Sequence, residues 1–159
     1  MTDWGEFFLA TAGASAALAG LIIVAMSVSV ELIVAIPGMP SRAASAIALL
    51  VITTVVSLAG LIPEQSLVLY GIETVVLGAG ALAISLDAMV RVIRARATPV
   101  PSSAARTIIA VVPAACFVGG GILLITGSAV GASLIAFGSI TAILASVVIA
   151  WVILIEIKR

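Results

Sequence analysis

Long apolar runs that carry almost no charge dominate this sequence and leave few ways for it to fold. The runs cover residues 7–33, 43–62, 67–90, 107–126 and 132–157. Only 9% of the residues are charged, whereas a soluble domain has about 25%. A helix of about 20 residues spans the apolar core of a bilayer and satisfies its own backbone hydrogen bonds there. We therefore predict an all-α integral membrane bundle of five transmembrane helices in one domain, residues 1–159.

Basic residues set the expected orientation of these spans, because short cytoplasmic loops are enriched in Lys and Arg. Four of the seven basic residues lie around the connection between the third and fourth runs: Arg91, Arg94, Arg96 and Arg106. With this connection in the cytoplasm, five spans place the N-terminus outside and the C-terminus inside. The other basic residues, Arg42, Lys158 and Arg159, then also become cytoplasmic. The four arginines are candidate contacts for anionic lipid headgroups.

A four-span arrangement is the main alternative, and it would merge the last two runs into one segment. That segment would be a helix of roughly 50 residues, far longer than a bilayer requires. It would also pass through Pro113 and the glycine triplet at 119–121. We favour five spans for this reason.

Small residues recur at regular spacing in three of the runs. They are Ala12, Ala16 and Gly20 in the first run, Gly71, Gly78 and Gly80 in the third, and Gly131 and Gly138 in the fifth. Such faces let helix backbones approach closely in lipid. The pattern predicts tight helix packing, within one chain or between copies in a homo-oligomer.

Three acids are candidates for a polar path. Glu73 and Asp87 are 14 residues apart in the third run, which places them within about 40° of one helical face and about 21 Å apart along the axis. Glu31 lies near the inner end of the first run. Acids inside spans are costly and often functional, but structural roles also fit. Asp87 could pair with Arg91, and Glu31 could pair with Arg42 or with the arginine-rich connection. Glu73 could reach the membrane interface or form a hydrogen bond to a neighbouring helix.

The sequence offers little material for catalysis or metal binding. It has no histidine and a single cysteine, Cys116, so one chain cannot assemble a Cys/His metal site or an internal disulfide. No hydroxyl has a recognisable base to activate it. We expect no enzymatic activity, no cofactor and no metal, and the segregated charges predict a lipid bilayer as the partner and not a nucleic acid.

The N-terminal pattern WGEFFLATAGASAALAGLIIVAMSVSVELI, followed by PGMPSRA, resembles a loose group of small uncharacterised bacterial membrane proteins that span the inner membrane several times. The resemblance covers about the first 45 residues. It implies a location in the inner membrane and carries no activity with it.

Two functions follow from these patterns. The first is a non-enzymatic membrane protein that acts through helix packing, as a homo-oligomer or as an accessory subunit of a membrane complex. The alternative is an ion channel or small transporter whose polar route uses Glu73 and Asp87.

Overall fold

The computed structural model describes residues 4–36, 39–94 and 102–156, and these residues form six helices. The helices are α1 (Gly5–Val28), α2 (Val30–Ala35), α3 (Met39–Ala59), α4 (Leu67–Arg94), α5 (Ser102–Ile125) and α6 (Val130–Glu156). No strand occurs in these three ranges. The prediction of an all-helical protein is confirmed.

Four helices are long and apolar enough to cross a membrane within the described ranges, and they indicate a membrane protein. They are α1, α3, α6 and the Leu67–Asp87 part of α4. A fifth apolar segment, Val111–Ile125 of α5, is shorter. The last two predicted runs form separate helices, which removes the reason to merge them into one span.

The first predicted run, 7–33, is divided into two helices. α1 ends at Val28, and Ser29 leaves the helical conformation with φ −116° and ψ 20° before α2 begins at Val30. As one helix, this run would be about 40 Å long, beyond the roughly 30 Å apolar core of a bilayer. The break shortens the continuous helix to residues 5–28.

Helices α3 to α6 form a closed ring in which neighbouring helices are antiparallel. α4 packs on α5, α5 on α6, α6 on α3 and α3 on α4. The Ser146 hydroxyl closes the ring by donating a hydrogen bond of 3.0 Å to the backbone carbonyl of Ala46 on α3. Because the described helices alternate in direction, the start of α3 lies beside the end of α6.

α1 lies outside this ring and packs chiefly on α3. Its contact includes Phe8, whose ring lies over Gly60 just after α3, and a hydrogen bond of 2.8 Å between the Ser15 and Thr54 hydroxyls. Each of these hydroxyls also approaches a carbonyl of its own helix, Thr11 for Ser15 and Leu50 for Thr54. Since each hydroxyl has one proton, the contact between the helices competes with one of these local bonds.

Candidate functional site

Glycines on α4, α5 and α6 bring these three helices into backbone contact. A Cβ atom added to Gly121 would lie 2.6 Å from the carbonyl oxygen of Gly71, and one added to Gly131 would lie 2.6 Å from that of Gly120. Neighbouring glycines of the triplet, about 100° apart around α5, therefore contact different helices, with Gly121 facing α4 and Gly120 facing α6. The predicted packing residues Gly131 and Gly138 lie at the α5–α6 contact, where an added Gly138 Cβ would lie 2.9 Å from the Cys116 Cβ.

The small residues of α1 behave differently. Ala12 is buried, but Ala16, Ala17, Gly13 and Gly20 are all exposed. A Cβ atom added to Gly13 or Gly20 would meet nothing within 4 Å. These two glycines are seven residues apart and so share one face to within about 20°. We call the exposed strip formed by Gly13, Ala16, Ala17 and Gly20 the α1 small face.

Glu73 and Asp87 lie toward the outer side of α4, away from the interior of the ring. Asp87 is exposed and Glu73 is half-buried. Gly80, midway between them, is exposed, and an added Cβ there would meet nothing within 4 Å. Glu31 is exposed on α2. The three acids are therefore not brought together inside one chain.

The Glu73 carboxylate has a partner that the spacing of acids did not indicate. Gln65, in the turn before α4, donates its side-chain amide to Glu73 at 2.6 Å. The turn itself is sharp, because Glu64 adopts φ 57° in the left-handed region. This hydrogen bond holds the segment before α4 against the second helical turn of α4, and Glu73 therefore has a structural role.

The side chains of the four arginines proposed as lipid contacts lie outside what the structure describes. Arg96 lies outside the described residues, and the side chains of Arg91, Arg94 and Arg106 lie outside what the structure describes. The expected ion pair between Asp87 and Arg91 therefore also falls outside it. The backbone nevertheless shows that Arg91 and Arg94 lie in the last turn of α4 and that Arg106 lies near the start of α5, at adjacent helix ends.

Tyr70 was not identified from the sequence as an interior residue, yet its side chain is completely buried. Its ring contacts Phe8 edge-on with a centroid distance of 6.0 Å, and Phe8 in turn contacts Trp4 and Phe7. Within the part of the chain that the structure describes, the Tyr70 hydroxyl has no hydrogen-bond partner. The signal in the sequence is the group of aromatic residues Trp4, Phe7 and Phe8 near the N-terminus, but this group does not indicate that Tyr70 is the residue it covers.

A groove of about 540 Å³ opens between the C-terminal halves of α1 and α6. We call it the α1–α6 groove. Its walls are formed by residues that include Leu18, Ile22 and Ser29 on the α1 side and Val147, Trp151 and Leu154 on the α6 side. Apart from Ser29, its lining is aliphatic or aromatic. The groove exists because α1 packs on α3 and leaves the side toward α6 partly open.

Among the described residues, no group of three or more His, Cys, Asp or Glu side chains could hold a metal ion. The fold and these surfaces define a helical membrane protein with one buried glycine contact system and two outward-facing features, the α1 small face and the α1–α6 groove. Comparison with protein-family models, curated proteins and solved structures finds no match to this chain.

Proposed function

We propose that this protein is a non-enzymatic integral membrane protein that acts through helix packing, as a homo-oligomer or as an accessory subunit of a membrane complex. The observation that supports this function most directly is the α1 small face. Gly13 and Gly20 are open to a neighbour, whereas most glycines of α4, α5 and α6 are already in contact inside the chain. The strip is therefore available for a second helix.

The physical reason is that apolar surface alone does not hold helices together in lipid. Lipid tails are as apolar as leucine, so association depends on close backbone approach and polar contacts. Gly13, Ala17 and Gly20 leave a shallow strip where a facing backbone can approach α1. Ser27, which is exposed near the end of the same helix, is seven residues beyond Gly20 and extends the strip.

In the proposed topology the chain spans the bacterial inner membrane five times. Its N-terminus is outside and its C-terminus is in the cytoplasm. Support comes from the alternating helix directions and from the basic residues, which belong to segments at one end of the bundle. In this arrangement α5 crosses the membrane between α4 and α6 and brings the number of spans to five. The N-terminal resemblance supports the inner membrane as the location.

Native mass measurement in lipid nanodiscs tests the proposed function. The wild-type protein is expected as a homo-oligomer or in complex with a co-purifying partner. Gly13→Leu together with Gly20→Leu is expected to shift the protein to the monomer, because the leucines fill the strip without a clash inside the chain. Ala14→Leu is the matched control, since Ala14 is also small and exposed on the same helix but lies about 100° from Gly13.

A wild-type protein that is strictly monomeric and carries no partner contradicts the proposal. An assembly whose mass is unchanged by both leucines shows that another surface holds it, and the α1 small face then loses its role.

The channel or transporter alternative has one supporting observation. Glu73, Gly80 and Asp87 follow one face of α4 that is turned outward, so a polar route would run between copies. Ion flux in proteoliposomes tests it, with Glu73→Gln and Asp87→Asn expected to reduce the flux. Unchanged flux in both variants eliminates this route.

A further inference from the structure

We propose that the α1–α6 groove is a binding site for one acyl chain of an anionic phospholipid. This inference goes beyond the proposed function, because it concerns a lipid that stays with each chain and not contact between chains. The supporting observations are the lining of the groove, its position between two apolar helices and the basic residues at the end of the bundle where Ser29 and Leu154 lie.

The lining fits a hydrocarbon chain. The groove is bounded by Leu18 and Ile22 on one wall and Val147 and Leu154 on the other, in helices long and apolar enough to cross a membrane. Its volume of about 540 Å³ is within the ~300–1,000 Å³ range of small-molecule sites. Water would form no hydrogen bonds with these apolar side chains, and the side chains would lose dispersion contacts if the groove were empty. A hydrocarbon chain supplies those contacts.

A second copy of the chain is expected on a different surface. Leu18 and Ile22 are five and nine residues from Gly13, which places them about 140° and 180° around α1 from that glycine. The groove and the α1 small face therefore point in nearly opposite directions. An oligomer held by the small face leaves the groove open to lipid.

The polar end of the groove matches a phospholipid headgroup. Ser29, where α1 breaks, and Leu154, two residues before α6 ends, are at the end of the bundle where Arg42 lies in the first turn of α3. By sequence, the segments at this end contain all seven basic residues and three acids, Glu31, Asp87 and Glu156. This is a net charge of +4, whereas the opposite segments carry four acids and no base. Basic residues at the membrane surface attract anionic lipid headgroups.

Lipid retention measured by native mass spectrometry tests this site. The full chain is reconstituted in vesicles of equal parts phosphatidylglycerol and phosphatidylcholine, then extracted and delipidated in mild detergent. Wild-type protein is expected to keep one phosphatidylglycerol per chain. Val147→Phe, which fills the groove, is expected to lose it. Val148→Phe is the matched control, because Val148 is similarly exposed but does not line the groove.

A second readout uses Trp151, which lies at the rim and is 63% exposed. In a Trp4→Phe background, brominated phosphatidylglycerol is expected to quench its fluorescence more than brominated phosphatidylcholine at the same low fraction in the membrane. Val147→Phe should abolish this difference and Val148→Phe should preserve it. Equal quenching by the two lipids in the wild type overturns the proposal.

Two further outcomes also overturn it: retained lipid that is equal in Val147→Phe and Val148→Phe, or a change of assembly mass in Val147→Phe without loss of lipid. The second outcome would assign the groove to a protein partner. Monomerisation by the Gly13 and Gly20 variants does not bear on lipid retention, so failure of the two proposals can be distinguished.

Discussion

Individual glycines in this protein have opposite roles although the sequence presents them alike. Gly121 and Gly71 are in backbone contact across α4 and α5, while Gly80 on the same α4 faces open space. All three are glycines within apolar helices, and only the position of the neighbouring helix separates them. The cost of adding a methyl group should therefore differ sharply between these positions.

Gly121→Ala is expected to destabilise the protein by about 1–3 kcal/mol, because the added Cβ would force two backbones apart. Gly80→Ala on the outward side of α4 should be neutral or stabilising by up to about 1 kcal/mol, since alanine is the better helix former. Unfolding in mixed micelles titrated with sodium dodecyl sulfate measures both free energies. Equal effects at the two positions would contradict the packing described for α4 and α5.

The helices are held with unequal strength. α5 is in backbone contact with both α4 and α6 through neighbouring glycines. α1 packs mainly on α3, and the hydrogen bond between Ser15 and Thr54 that joins them competes with bonds from these hydroxyls to carbonyls of their own helices. Regions with fewer buried contacts open first. We expect α1 to separate from the bundle before the α4–α5–α6 group loosens.

Cysteines introduced at two buried alanines test this order in a Cys116→Ala background. Ala12 on α1 and Ala132 on α6 are each 5% exposed. A membrane-permeant thiol reagent is expected to modify Ala12→Cys at a lower denaturant concentration than Ala132→Cys. Simultaneous modification would show that the chain opens as one cooperative unit.

The sequence predicted the positions of the helices better than it predicted which side of each helix packs on a neighbour. Apolar length and the absence of charge identify each helix, because these are properties of one segment in lipid. The side of α1 that packs on α3 is set by the contacts of Phe8 with Gly60 and of Ser15 with Thr54. Because these partners are about 40 to 50 residues apart in the sequence, no local pattern predicts the contacts. The break at Ser29 was missed for a related reason, since a serine in an apolar run also fits a continuous helix.

At the scale of the molecule, charge divides the protein into two unlike ends. In the predicted topology every basic residue belongs to a segment on the cytoplasmic side, and the charged residues of the opposite segments are all acids. The excess of Lys and Arg in cytoplasmic loops sets the orientation of membrane proteins. The sequence therefore predicts orientation directly, although helix packing alone does not reveal which end faces the cytoplasm.

Cysteine labelling of intact cells tests this orientation. In a Cys116→Ala background, Glu64→Cys, at an exposed position between α3 and α4, is expected to react with a membrane-impermeant maleimide from outside. Ala97→Cys, between α4 and α5 in the sequence, should react only after the membrane is permeabilised. Reaction of both from the same side would mean that the number of spans, and the sidedness of every acid, must be revised.

The hydrogen bond between Ser146 and Ala46 joins residues that are 100 positions apart. During synthesis α3 enters the membrane long before α6 has been translated, so one flank of α3 has no partner from its own chain in that interval. Until α6 is inserted, this flank of the nascent protein must therefore contact lipid or the insertion machinery instead.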